Sequence, residues 1–117
     1  MKHSPFHVRS KVWLEIAGIP FLGPGRRELL LAVDQWGSIQ KAARSLKLSY
    51  RRAWGQISAM EKELGLPLVV KTTGGRGGGG AHLTPEAKEI LDRYERLIRG
   101  IAELVDSRFR EVFCGIR

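Results

Sequence analysis

Four polar and cationic side chains in two places carry the chemistry this sequence offers. Tyr50, Arg51 and Arg52 follow directly on Ser49, whose hydroxyl is a good helix N-cap. The first turn of a helix is the positive end of its dipole, so two arginines there are unfavourable by ~0.3–1 kcal/mol each. Phosphates, or the acceptor edge of guanine, reverse that sign. Ala53, Ile57, Met60 and Leu64 mark the inward stripe of the same helix. That puts Ser49, Tyr50, Arg51, Arg52 and Gln56 on or near the opposite face, with Trp54 at the border of the stripe. The second place is Arg76, which interrupts six glycines between Gly74 and Gly80. A glycine backbone approaches phosphates without side-chain clash.

Rival chemistries lack their partners. The run from Gly75 to Gly80 literally satisfies G-x-G-x-x-G, but a dinucleotide fingerprint needs the loop to open straight into a helix. Here Ala81-His82-Leu83 intervenes, no ribose-binding acid on a second parallel strand follows, and Gly-Lys-Ser/Thr does not occur. Nucleotide binding through this loop therefore stands as a minor alternative. His3 and His7 lack a third ligand nearby, and residues 1–8 read as a loose tail. Asp34, Glu61 and Glu63 read as ordinary surface charge on helices, and Cys114 as an unreactive thiol. The expectation is a protein that is not an enzyme, with no metal and no cofactor.

The elements that must hold these residues can be read from periodicity. Ile39, Ala42, Ala43 and Leu46 share one face of a short helix whose small alanines admit a close neighbour. Lys47-Leu48-Ser49 breaks the pattern before the longer helix, and short helix, tight turn, longer helix is the helix-turn-helix signature. Upstream, Val12, Leu14 and Ile16 alternate with Lys11, Trp13 and Glu15. This predicts a strand that turns at Ala17-Gly18 and returns through Ile19-Pro20-Phe21-Leu22 as an edge. A helix follows to about Trp36, with Leu29, Leu30, Val33 and Trp36 as its apolar face and Gly37 closing it. Arg26 and Arg27 at its start are either backbone-phosphate contacts or simply solvated. Gly65 and Pro67 stop the long helix of the helix-turn-helix. Short strands at residues 68–71 and 81–83 flank the glycine loop. Thr84-Pro85-Glu86 opens a last helix reaching about Phe113.

Composition bounds the function. The chain has 117 residues, room for one modest core, and a net charge of +8. Residues 1–83 hold 13 basic and 5 acidic side chains, whereas residues 84–117 hold 7 of each. All the excess positive charge therefore travels with the helix-turn-helix and the loop, as a polyanion-binding surface requires. A single cysteine excludes an intrachain disulfide. No apolar stretch is long enough for a signal peptide or membrane span, so a cytoplasmic protein with no membrane partner is expected.

Residues 49–66 resemble the recognition helix of LysR-type regulators. Ser49-Tyr50-Arg51-Arg52-Ala53-Trp54 together with the run from Thr73 to Ala81 is similar to the N-terminal DNA-binding domain of the ModE branch, which responds to molybdate. The resemblance implies a mainly α winged helix-turn-helix with small β content: an N-terminal β-hairpin, a glycine-rich β wing and a long C-terminal helix. Residues 1–83 form the reading head and residues 84–117 the helix of the same domain. It also implies sequence-specific double-stranded DNA binding in transcription control, of molybdate transport or molybdenum-enzyme genes. A non-specific nucleoid-associated protein is the alternative of the same charge. The expected DNA contacts are Ser38, Gln40, Ser49, Tyr50, Arg51, Arg52, Gln56, Lys71 and Arg76, with Arg76 beside the minor groove. Oxyanion-binding domains follow the long helix in that family, and this chain stops at Arg117. The expectation is a module without its own effector domain, served by a separate effector-sensing protein or by no ligand.

The last helix carries Ala87, Ile90, Tyr94, Leu97, Ile101 and Leu104 at spacings of three and four, flanked by Leu91 and Ile98. A helix of ~45 Å outruns so small a domain, and this stripe is wider than a lone surface helix needs. These eight residues are expected to form a homodimer interface. The alternative is a helix folded back on its own domain.

Overall fold

The computed structural model describes residues 5–72 and 79–115. The chain order is β1 (Leu14–Ile16), β2 (Ile19–Leu22), α1 (Pro24–Trp36), α2 (Ile39–Ser45), α3 (Tyr50–Leu64), β3 (Val69–Thr72), β4 (Gly80–Leu83) and α4 (Pro85–Val112). This is the mainly α winged helix-turn-helix with a small hairpin at each end of the head. β1 and β2 pair antiparallel through a turn in which Ala17 and Gly18 both take positive φ, 53° and 79°. That backbone is what a two-residue hairpin turn demands. A bulge between Leu14 and Glu15 twists the short ribbon.

The three helices of the head stop and start on local chemistry. Proline opens α1, and Gly37, left-handed at φ 65°, closes it with its N–H on the Val33 carbonyl. The Ser38 hydroxyl accepts the Lys41 N–H at 3.2 Å, and the Ser49 hydroxyl accepts the Arg52 N–H at 3.0 Å. Between α2 and α3 the chain turns through Lys47 at φ 59°. Ala42, Ala43 and Ala53 are fully buried, which lets α1, α2 and α3 approach closely around Leu29, Leu30, Val33, Ile39, Ile57 and Met60.

Several residues expected at the surface hold this frame together. Arg26 donates to the carbonyls of Pro20 and Phe21, at 3.2 and 2.9 Å, and pairs with Glu63. Arg27 grips Glu95 of α4 with two nitrogens. Both arginines thus have partners within the domain, and Glu63 is an anchor and not ordinary surface charge. Glu61 is another anchor: its carboxylate accepts the N–H groups of Leu68 and Val69 at 2.7 and 3.1 Å, starting β3. Trp36 departs from expectation in the other direction. It is 48% exposed, and Ala32 takes the core position in its place.

β3 and β4 pair antiparallel in register from Val69–Leu83 to Thr72–Gly80. The Ala81 N–H bonds to the Gly37 carbonyl at 2.9 Å, which seats the wing on the end of α1. A Cβ at Gly80 would come within 3.1 Å of the Thr72 hydroxyl and 3.3 Å of the Gly37 carbonyl, so glycine lets the wing sit this close without displacing either neighbour. Thr84 then caps α4. It accepts the Ala87 N–H at 3.1 Å and donates to the Pro67 carbonyl at 2.9 Å.

The last helix divides along its length. Ala87, Leu91 and Tyr94 are buried in the core of their own domain, and the Tyr94 hydroxyl donates to the Val12 carbonyl at 2.6 Å. This corrects the expectation that these three form a dimer surface. Ile90 and Ile98 pack on the edge of that core. Beyond them the helix projects, and the molecule measures 62 × 31 × 21 Å. Its far end is not bare on every side. Val8 lines an apolar groove with Leu104, Val105, Phe109, Val112 and Phe113, and the Phe6 ring lies 5.5 Å from that of Phe113. Phe6 and Val8 thus correct the reading of the whole 1–8 segment as a loose tail; residues 1–4, His3 among them, lie outside the described residues.

Candidate nucleic-acid interface

Capping by Ser49 starts α3 at Tyr50, so Tyr50, Arg51 and Arg52 occupy its first turn and all three are exposed. Among the described residues, neither arginine side chain has an ion-pair or hydrogen-bond partner, whereas Arg26 and Arg27 are each paired with a carboxylate. Two free guanidiniums therefore stand at the positive end of the helix, where an anion or a base-edge acceptor would satisfy both them and the dipole.

Beside this turn lies an open cleft of about 350 Å³ lined by Ser38, Gln40, Tyr50, Lys71, Thr72 and Gly80, among others. It brings together the start of α2, the start of α3 and both strands of the wing. Four of the nine expected contacts meet here: Ser38, Gln40, Tyr50 and Lys71. The Lys71 ammonium donates to the Tyr50 hydroxyl at 3.1 Å and sits 4.3 Å from the centre of the Trp54 ring. The Thr72 hydroxyl accepts the Gly80 N–H at 3.0 Å, which holds the two wing strands at the cleft edge. Arg76 lies outside the described residues.

Gln56 does not join this group. It is half-buried and lines a separate cleft of about 600 Å³ with Lys11, Trp13, Phe21 and Arg26, against the N-terminal hairpin. At about 100° per residue, position 56 lies only 60° from the Ala53 direction, so its side chain turns toward β2. The same arithmetic points outward through Arg51, Gly55 and Lys62, which are exposed. Gly55 and Lys62, not among the nine expected contacts, share this outward face with Arg51, and a helical projection from the apolar stripe identifies them.

Electrostatic perturbation is concentrated away from this face. The hydrogen bond from Arg27 holds the Glu95 carboxyl below its ordinary range, against burial, and the same contact raises the Arg27 guanidinium. Burial pushes the Tyr94 phenol up, opposed by the Arg27 charge. These groups join α1 to α4 and are structural.

The glycine loop leads into β4, antiparallel to β3, and α4 starts only at Pro85. That is a wing and not the strand-loop-helix a nucleotide pyrophosphate requires. Among the described residues no group of three His, Cys, Asp or Glu could hold a metal, and no helix is long and apolar enough to cross a membrane.

Comparison with known proteins places this geometry. The model of the bacterial regulatory helix-turn-helix proteins of the lysR family matches residues 26–88. The chain is 41% identical over 86 residues to the molybdenum-pterin-binding protein MopB of Rhodobacter capsulatus, covering 74% of this chain and 32% of that protein. It is 43% identical over 79 residues to the transcriptional regulator ModE of Haemophilus influenzae, covering 68% and 31%. It thus spans about a third of the length of these relatives. The solved CbnR_DBD–DNA complex superposes with a TM-score of 0.54 at 25% identity, over 75% of this chain and 94% of that one.

Proposed function

Because this chain belongs to the lysR family of bacterial regulatory helix-turn-helix proteins, with ModE regulators among its homologues, we propose that it reads double-stranded DNA through α3 and clamps it with the β3–β4 wing. It is a winged helix-turn-helix transcriptional regulatory domain. Arg51 and Arg52 contact base edges, while Ser38, Gln40, Ser49, Tyr50, Lys71 and Arg76 contact the backbone around them. The observation that carries this is the pair of arginines, without a side-chain partner among the described residues, on the capped first turn of α3, beside the cleft that joins helix and wing. Gln56 has a place in the scheme only at its edge.

Two copies bind together through the projecting part of α4. Leu97 and Leu104 are 41% and 63% exposed, with Ile101 half-buried between them. Ile90 and Ile98 rim this strip. A dimer places two reading helices on half-sites about one turn (~34 Å) apart. The relative named for molybdenum-pterin binding and the ModE regulator support genes of molybdate transport or molybdenum enzymes as the targets. The reading includes a separate effector-sensing protein as the source of its signal. The non-specific reading is the one to exclude. Selecting bound fragments from the source genome and competing them against bulk DNA tests it: a reader of sequence prefers its site ~10³–10⁷-fold, and a preference under tenfold would leave only a packing protein.

A further inference from the structure

The charge on Lys71 is held in place before any ligand arrives. Its ammonium lies 4.3 Å from the Trp54 ring centre and 5.8 Å from that of Tyr50, and it donates to the Tyr50 hydroxyl at 3.1 Å. Distances under ~6 Å put a cation within the attraction of an aromatic face, and indole is the strongest such face. Trp54 is half-buried at the edge of the core, whereas Lys71 is exposed on β3. A rigid ring thus fixes the end of a flexible four-carbon side chain. An ammonium has three donor hydrogens. One serves Tyr50, the side toward Trp54 is covered by the indole face, and the outer side remains open to the cleft.

We propose that Trp54 is a positioning residue: with the Tyr50 hydroxyl, its indole holds the Lys71 ammonium at the junction of α3 and the wing, ready for a DNA phosphate. The proposal rests on the DNA-binding reading above and adds a role for a half-buried residue outside the expected set of DNA contacts. The same contact ties the wing to the reading helix, because Tyr50 and Trp54 belong to α3 and Lys71 to β3. A lysine placed beforehand loses little freedom on binding, which is the general source of gain from preorganisation.

Two measurements on the whole chain test this. In the free protein, the indole ring current shifts the Lys71 side-chain methylene resonances upfield, and Trp54→Leu removes the shift. On the selected DNA site, Trp54→Leu weakens binding about 3- to 10-fold, and Trp54→Phe recovers part of that loss. In a Lys71→Met background, which itself lowers the slope of log affinity against log salt by ~0.9, Trp54→Leu changes affinity less than about twofold. Should Trp54→Leu fold poorly, the Trp54→Phe and Tyr50→Phe cycles with Lys71→Met carry the same comparison. An unshifted Lys71 in the wild type, or an equal loss with and without the Lys71 charge, overturns the positioning role. A shifted Lys71 in a wild type that shows no salt-dependent DNA binding overturns the DNA reading beneath it.

Discussion

Arginines on this domain stand in two different settings, and their neighbours separate them. Arg26 and Arg27 face carboxylates and carbonyls within reach, so their charge is spent inside the molecule. Arg51 and Arg52 face solvent. An arginine bidentate to guanine gives ~1–3 kcal/mol of discrimination against the wrong base. Arg51→Ala or Arg52→Ala is therefore expected to flatten base preference at one position of each half-site in a competition assay. Arg76→Ala is expected to weaken all sites nearly evenly. Unchanged preference in both helix variants would remove α3 from the reading role. The Arg27–Glu95 contact makes a prediction in pH. Glu95 has a folded pKa below its ordinary 4.5. Its ionised form thus stabilises the fold above the unfolded pKa, and that contribution is lost as pH falls through the lower, folded value. Melts of the wild type and Glu95→Gln should differ at pH 7 and converge as pH drops below 4.5. A gap that stays constant would show that the carboxylate's charge is not what stabilises the junction.

Helix α4 combines two elements in one. Its first turns bury Ala87, Leu91 and Tyr94 as the lid of the core, and the rest carries Leu97, Ile101 and Leu104 outward. Substitutions in the two parts should therefore fail differently. Leu91→Ala empties core space and is expected to destabilise the fold by ~2–5 kcal/mol. Leu97→Asp/Leu104→Asp acts on exposed positions, so the melting temperature extrapolated to the monomer should hold while sedimentation shows loss of the dimer. Affinity for a two-half-site operator should then drop ~10²–10⁴-fold, with a single half-site bound as before. A dimeric double variant would move the interface elsewhere on the molecule.

Taken whole, the molecule is a basic head on a charge-balanced helix, with all of the +8 in residues 1–83. Tight oxyanion binding needs several donors converging on one enclosed point, whereas the cleft between α2, α3 and the wing is an open groove that a phosphate backbone can cross. These 117 residues are accordingly expected to bind molybdate only weakly and in a salt-sensitive way. Saturable micromolar binding by calorimetry at ~0.15 M salt would contradict that and move the sensing function into this domain.

Local rules were enough for much of this protein. Caps at Ser49 and Thr84, the left-handed glycines that end α1 and α3, and the alternation of Val12, Leu14 and Ile16 are short-range, so the chain states them openly. The first turn of α3 was legible for the same reason: its cap and its arginines are adjacent in sequence. What could not be read was every pairing across long separations. Glu61 and Glu63 look like any surface acid until β3 and Arg26 are brought to them. Ala87, Leu91 and Tyr94 have the periodicity of a dimer seam, and periodicity reports an apolar face without saying what covers it. In the fold, α1 and the N-terminal segment cover that face within the same domain: Arg27 grips Glu95, and the Val12 carbonyl accepts the Tyr94 hydroxyl. Lys71 is equally silent in the chain. It stands seventeen residues from Trp54 and twenty-one from Tyr50, and the reversal of the chain between α3 and β3 is what sets a cation over an indole.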